Sequence, residues 1–191
     1  MPTDVVVRSL LGVRLEEPEE IPADPQTPNF EIAGFINREE NRIVVAQKYK
    51  SEYRRFTMAH EIGHWVLHPG TVYHRDRPIT GGERANSNRP IIEQEADLFA
   101  AELLMPTKVL SQNFENVFGG RIDGATPGNL ARLAIGSGRS EVDLARDLRY
   151  RAMVVADLKS FRSVPIVPLS TRFGVSTPAM AIQLEDLRLV T

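Results

Sequence analysis

The chain contains no cysteine. That absence excludes a disulfide framework and every thiolate metal site, so any metal must be held by His, Asp or Glu. An excess of either charge is also lacking. The 23 Lys and Arg face 25 Asp and Glu, a formal net charge of −2, which gives no molecule-wide attraction to polyanions. No stretch approaches the roughly 20 consecutive apolar residues that a bilayer-spanning helix needs. The opening MPTDVVVRSLLGV sets Asp4 and Arg8 among short apolar stretches and lacks the charged start and long apolar core of a secretion signal. The expectation is a cytoplasmic protein with no membrane contact.

What is present suits a folded chain. Hydrophobic residues make up 42% of the 191 and charged residues 25%, enough for one domain or one domain with a small appendage. Residues 4–15 fit a short helix or a strand equally. Residues 16–29 are acidic and carry four prolines, which reads as an extended loop. Residues 30–36 and 42–47, FEIAGFI and RIVVAQ, read as a strand pair across NREEN. Residues 51–68 read as a helix, with Phe56, Ala59, Gly63, Val66 and Leu67 at helical spacing and Pro69-Gly70 as its stop. Residues 75–90 read as a long polar loop, and 91–104 as a second helix stopped by Pro106. Six glycines and a proline in 119–140 place a linker there. Residues 141–160 read as a helix, and the end as two short helices about Gly174.

Within the first long helix stands His60-Glu61-Ile62-Gly63-His64, an H-E-x-x-H motif. Residues four apart on an α-helix share a face, so the two imidazoles can bind one zinc ion. Glu61 lies on the neighbouring face, where it can act as general base on a water without being a ligand. With four histidines in the chain, an accidental match is of order one in a hundred. The competing reading is a surface helix that happens to carry two histidines and a glutamate.

A catalytic zinc needs a third protein ligand and an open position. Position 70, where a third histidine of the metzincin spacing would fall, is glycine. The second helix offers Glu93, Glu95 and Asp97. Glu93 and Asp97 share a face, which favours Glu93 as ligand and Asp97 as an acid orienting a ligand imidazole. Glu95 is expected to face away. For stability this helix is expected to turn Leu98, Ala101 and Leu104 or their neighbours inward. Glu93, Ala96, Asp97 and Ala100 then form an edge whose alanines permit close approach to the His60–His64 helix. A bland reading remains for the three acids, a solvated helix start favoured by the helix dipole.

RRFTMAHEIGHWVLH followed by EQEADLFAAELLMP resembles the paired signature of the ImmA/IrrE metallopeptidases, whose blocks read approximately R-F-T-x-A-H-E-x-x-H and E-x-x-A-(N/D)-x-F-A-x-x-L-L-M-P. The resemblance covers about residues 30–106, with a weaker likeness at RFGVSTPAMAIQLEDL. It implies His60 and His64 as zinc ligands, Glu61 as base, Glu93 as third ligand and Asp97 in a supporting position. It also implies a protein substrate, a helix-turn-helix transcriptional repressor.

Other residues stay unassigned. His68 continues the 60–64–68 face and could cap the helix or meet substrate. Tyr49, Tyr53, Tyr73, His74 and Arg75 are each able to supply an oxyanion donor. Trp65 and Phe99 read as core. From 141 to 191, seven basic residues stand against six acidic ones, too even for a phosphate footprint, so no direct nucleic-acid binding is expected. The expectation is therefore an α+β zincin-like domain over 1–120, with a small sheet packed on the helices of the site, and a helical C-terminal region over 121–191. The function expected is that of a metalloendopeptidase with one zinc ion per chain. The rival is a non-catalytic zincin-fold regulator or sensor that binds a transcription factor.

Overall fold

A computed structural model of the chain describes residues 3–23, 31–70, 73–76 and 89–191. The architecture is mixed α+β, in two compact units, Met1–Leu104 and Met105–Thr191.

The first unit opens with a helical turn, α1 (Thr3–Val5), continued as a wider π-helical turn over Val6–Leu10. Gly12, at φ 63°, reverses the chain into strand β1 (Arg14–Glu16). The helix and the strand that the sequence allows as alternatives are both present, because glycine enters the left-handed region at little cost. Strands β2 (Gly34–Asn37) and β3 (Arg42–Val45) form the expected antiparallel pair, with Phe35 opposite Val44 and Ile36 opposite Ile43. Strand β1 joins β3 in parallel, and β4 (Tyr73–Asp76) joins β2 antiparallel, giving the order β1-β3-β2-β4. Reading 75–90 as loop misses the end of β4; residues 77–88 of that loop lie outside the described residues.

Side chains alternate across a strand. Ile36, Ile43, Val45 and Leu15 therefore share one core with Val6, Val7, Val13, Met58 and Ile62, against which Trp65 and Phe99 pack partly buried. Phe35 and Val44 point the other way, into a cluster with Ile21, Ile32 and Ala46. Burial on both faces explains why these strands read as continuous apolar runs.

Helices α2 (Ser51–Leu67) and α3 (Ile91–Leu104) pack together beside the sheet. The apolar residues that α2 buries are Met58, Ala59 and Ile62; Val66 and Leu67 of the expected stripe are exposed. On α3 the buried residues are Glu93, Ala96, Asp97, Ala100, Ala101 and Leu104, while Leu98, expected inside, is exposed. The α2 carbonyls are capped by Arg38 from the β2–β3 turn. It donates to the carbonyls of His64, Trp65 and His68 at 3.0, 2.7 and 3.2 Å and lies 4.4 Å from the Trp65 ring centre. A cation at a helix C-terminus is favoured by the helix dipole.

The second unit is helical: α4 (Thr107–Phe118), α5 (Pro127–Ser137), α6 (Glu141–Arg146), α7 (Leu148–Ala156), α8 (Leu169–Phe173) and α9 (Thr177–Asp186), with a small ladder of β5 (Ser160–Phe161) and β6 (Val164–Pro165) between α7 and α8. The division falls after Leu104, earlier than the boundary at 120 expected from the glycines. Helix α4 belongs to this second unit, since Phe118 stacks on Phe114 and meets Phe161 edge-on at 5.0 Å. Part of the expected linker is helix α5, begun by Pro127 and ended by Gly138 at φ 67°. The helix expected over 141–160 is broken at Asp147, which leaves helical geometry and caps α7 by accepting from the Tyr150 N–H. Gly174, at φ 61°, separates the last two helices as read. Helix α9 buries Met180 through Leu184, five residues in succession, and so is a core element of this unit. Among the described residues no helix is long and apolar enough to cross a membrane.

Candidate metal centre

The centre is built where α2 and α3 approach. Gly63 makes the approach possible. A Cβ placed there would stand 3.1 Å from the Ala96 Cα and 3.2 Å from its carbonyl oxygen. Glycine on one helix and alanine on the other let the two backbones come together, and Ala96 and Ala100 are fully buried. The close crossing brings α3 acids to α2 histidines.

His60 and His64, one helical turn apart and both completely buried, point their Nε2 atoms at each other at 2.9 Å. From α3, one Glu93 oxygen lies 3.5 Å from His60 Nε2 and the other 3.5 Å from His64 Nε2. The three residues can each offer a ligand atom with all such atoms inside 4.8 Å. Tetrahedral coordination with bonds of about 2.0–2.1 Å implies donor separations of about 3.3 Å, and the observed spacings bracket that value.

Hydrogen bonding agrees with this arrangement. Asp97 Oδ1 lies 2.9 Å from His60 Nδ1. A carboxylate only accepts, so His60 donates from Nδ1 and turns an Nε2 lone pair toward His64 and Glu93. Arg89, just before α3, donates to Asp97 Oδ2 at 2.5 Å and to Glu93 Oε2 at 3.3 Å. It ties the supporting acid and the candidate ligand together. The sequence reading misses Arg89, although it lies four residues before Glu93 and eight before Asp97, the spacing of one helix face. Its position in an apparent loop hides that periodicity. The donor set of two imidazoles and a carboxylate suits zinc and similar borderline divalent ions.

Glu61 is also fully buried. It sits under strand β2, where a Cβ added to Gly34 would stand 2.9 Å from Glu61 Oε1 and 2.7 Å from the Thr57 methyl. Glycine at 34 thus lets the strand backbone pass close over the carboxylate.

For His68 the sequence allows a helix cap or a substrate contact. Its side chain bridges two others: Nδ1 lies 3.0 Å from His64 Nδ1 and Nε2 lies 3.0 Å from Glu95 Oε2. Glu95 therefore does not simply face away from the centre; it meets it at one remove, through His68. Tyr49 lies in the cluster behind the sheet, beside Lys48 and Glu31, where burial pushes its phenol up to about 12. Tyr53 is half-buried early in α2. The side chains of Tyr73, His74 and Arg75 lie outside the described residues.

The model of the IrrE N-terminal-like domain, peptidase family M78, matches residues 24–119, half of the chain. The chain belongs to this family. The M78 match includes both helices of the centre and extends through α4, so the family boundary lies beyond the contact boundary at Leu104. The chain is also 33% identical over 92 residues to a protein of Bacillus phage phi105 described as an uncharacterized immunity region protein 2. That alignment covers 46% of this chain and 54% of the phage protein, so the chain spans about half the length of the curated relative it matches. Membership of M78 makes this a chain of a peptidase family with a cluster able to hold a metal ion.

Proposed function

We propose that the chain is a zinc-dependent metalloendopeptidase with one zinc ion held by His60, His64 and Glu93 and with Glu61 as general base. The observation that carries the reading is the convergence of two imidazole Nε2 atoms and one carboxylate at 2.9–3.5 Å, beside a fully buried Glu61. When bound, zinc supplies Lewis-acid activation of a water and of the scissile carbonyl. The remaining work belongs to the chain. Asp97 on α3 holds His60 in place, and Arg89 just ahead of that helix holds Asp97 and Glu93. Glu61 accepts the proton of the attacking water and later delivers it to the leaving amine. The close pass of β2 over Glu61 limits the room its carboxylate has to move.

The substrate in this reading is a protein, a helix-turn-helix transcriptional repressor. Support comes from the resemblance to ImmA/IrrE peptidases and from the phage relative's description as an immunity region protein. A non-catalytic regulator is the poorer fit, because a binding module has no need of a buried carboxylate beside a three-donor centre.

The test is incubation of the purified protein, with its metal content measured, with helix-turn-helix repressors, with and without a chelator. Glu61→Gln keeps the shape of the side chain but cannot take the proton. It is expected to retain metal and lose about 10²- to 10⁴-fold in cleavage rate. Cleavage at the wild-type rate by this variant would sink the mechanism.

A further inference from the structure

Resting on the metal-centre reading above, we propose that His68 and Glu95 are positioning residues for His64, forming a carboxylate–imidazole–imidazole line that sets the tautomer of the ligand ring.

The two candidate ligand histidines are supported in different ways. His60 has a buried carboxylate on its Nδ1. The Nδ1 of His64 instead faces the Nδ1 of another histidine at 3.0 Å. A contact between two imidazole nitrogens works only if one ring donates and the other accepts. The direction is decided one step further out. Glu95 Oε2 lies 3.0 Å from His68 Nε2, and a carboxylate accepts only. His68 therefore carries its proton on Nε2. In the neutral ring Nδ1 is then a lone pair, which accepts the Nδ1–H of His64. His64 in turn presents an unprotonated Nε2 to the centre, as a metal ligand must.

For a neutral His68 the reverse arrangement fails at each joint. A proton on His68 Nδ1 would set a lone pair at Nε2 against the Glu95 carboxylate. It would also force the His64 proton onto Nε2, the atom that faces His60 and Glu93. One exposed acid thus governs a buried ring through two hydrogen bonds: the Glu95 side chain is 50% exposed, that of His68 9% and that of His64 0%. Helical spacing supplies the line, since His68 caps the C-terminus of α2 one turn beyond His64 and Glu95 projects from the adjoining α3.

The experiment titrates cobalt(II) into the metal-free full chain and follows the visible absorption band that reports coordination geometry. Wild-type protein is expected to bind about one ion. His68→Ala is expected to weaken binding by about 10- to 100-fold and to change the band. His68→Asn, whose carbonyl can accept from His64 Nδ1, is expected to recover most of the loss. Glu95→Gln still offers an acceptor and is expected to stay near wild type. Glu95→Lys offers only a donor to His68 Nε2, reverses the line, and is expected to bind more weakly than Glu95→Ala. If wild type takes up no cobalt, the metal-centre reading itself fails. If wild type binds but His68→Ala binds equally well with the same band, the positioning role alone is overturned. Equal losses in His68→Ala and His68→Asn, or in Glu95→Gln and Glu95→Lys, would also overturn it, by pointing to packing or to charge. Should His68→Ala fail to fold, the Glu95 set decides.

Discussion

Gly63→Ala separates folding from metal binding. Position 63 adjoins His64 and faces α3. The added methyl would stand 3.1 Å from the Ala96 Cα, 3.2 Å from its carbonyl oxygen and 3.3 Å from the Phe99 Cβ. Carbon contacts are comfortable at about 3.5–4.0 Å, so the helices must part by roughly 0.5 Å. Two of the three neighbours are backbone atoms and cannot rotate aside. Alanine in a helix interior gains roughly 1 kcal/mol over glycine, while overpacking costs about 1–3 kcal/mol. The metal-free protein should therefore range from unchanged to about 2 kcal/mol less stable, by these two opposing effects.

Metal binding has no such compensation. Parting the helices lengthens the Glu93 separations from His60 and His64, both 3.5 Å, and the 2.9 Å bond from His60 to Asp97. A disturbance of ligand support of this kind costs about 10- to 100-fold in affinity. The assays are urea unfolding in chelator and competition for zinc against a chromophoric chelator. An alanine variant that is more stable by about 1 kcal/mol, the bare propensity gain, and holds zinc as wild type does would refute the reasoning, by showing that the crossing has room to spare.

Three other outcomes are expected from the same structure. Chelation should lower amide-exchange protection in 51–67 and 91–104 while leaving 148–156 unchanged, since the candidate ligands lie on α2 and α3; uniform loss, or none, would contradict the placement of the centre. Arg151, 4% exposed, donates to the carbonyls of Leu144, Ala145 and Thr191, so Arg151→Met should destabilise the C-terminal unit by about 2–4 kcal/mol in urea unfolding, with several acceptors stranded at once. Asp123 is held below the usual carboxylate range chiefly by the Thr126 hydroxyl, with the backbone N–H groups of Ala125 and Thr126 adding to it. Its folded pKa lies below the unfolded one, so its contribution is complete above the ordinary carboxylate range and is lost as pH falls through the lowered value; a carboxyl titration by NMR with a midpoint at or above that of an unstructured peptide would exclude this.

Much of the N-terminal unit is legible in the sequence because its signals are local. H-E-x-x-H needs only helical spacing, the Ile- and Val-rich runs identify paired strands, and the shared face of Glu93 and Asp97 distinguishes them from Glu95. What escapes depends on contacts distant in sequence. Nothing at position 95 announces that Glu95 will meet a histidine 27 residues earlier. Arg89 is missed for a different reason: its spacing to Glu93 and Asp97 is local, but it stands ahead of α3, where that periodicity goes unread. Val66, Leu67 and Leu98 mislead for a related reason: apolar spacing identifies a helix better than it says which face is covered. In the C-terminal unit glycine density misleads as well. Gly119, Gly138 and Gly174 end helices in left-handed geometry, but a count of glycines cannot tell helix ends from a linker around α5.

Burial decides between the two readings of the motif. On a surface helix, His60, Glu61 and His64 would be solvated, and their spacing would carry no cost. Here all three are completely buried, with Glu93 at 8% and Asp97 at 2% exposure. Ionised carboxylates withdrawn from water cost several kcal/mol each unless charges of opposite sign accompany them. With the imidazoles neutral, as ligands must be, the carboxylates of Glu61, Glu93 and Asp97 gather at the centre, and the guanidinium of Arg89 pairs with two of them. Carboxylates gathered in this way around two imidazoles suit a bound cation. Arg89 carries a single charge, and its contacts go to Asp97 Oδ2 and Glu93 Oε2. The residue pattern therefore makes physical sense as a cation site before any chemistry is assigned to Glu61. Once a cation occupies it, Glu93 is committed as a donor and Asp97 to the His60 ring. Glu61 is the carboxylate of the three that belongs neither to the donor set nor to the Arg89 pairs, in keeping with the proton-transfer role proposed for it.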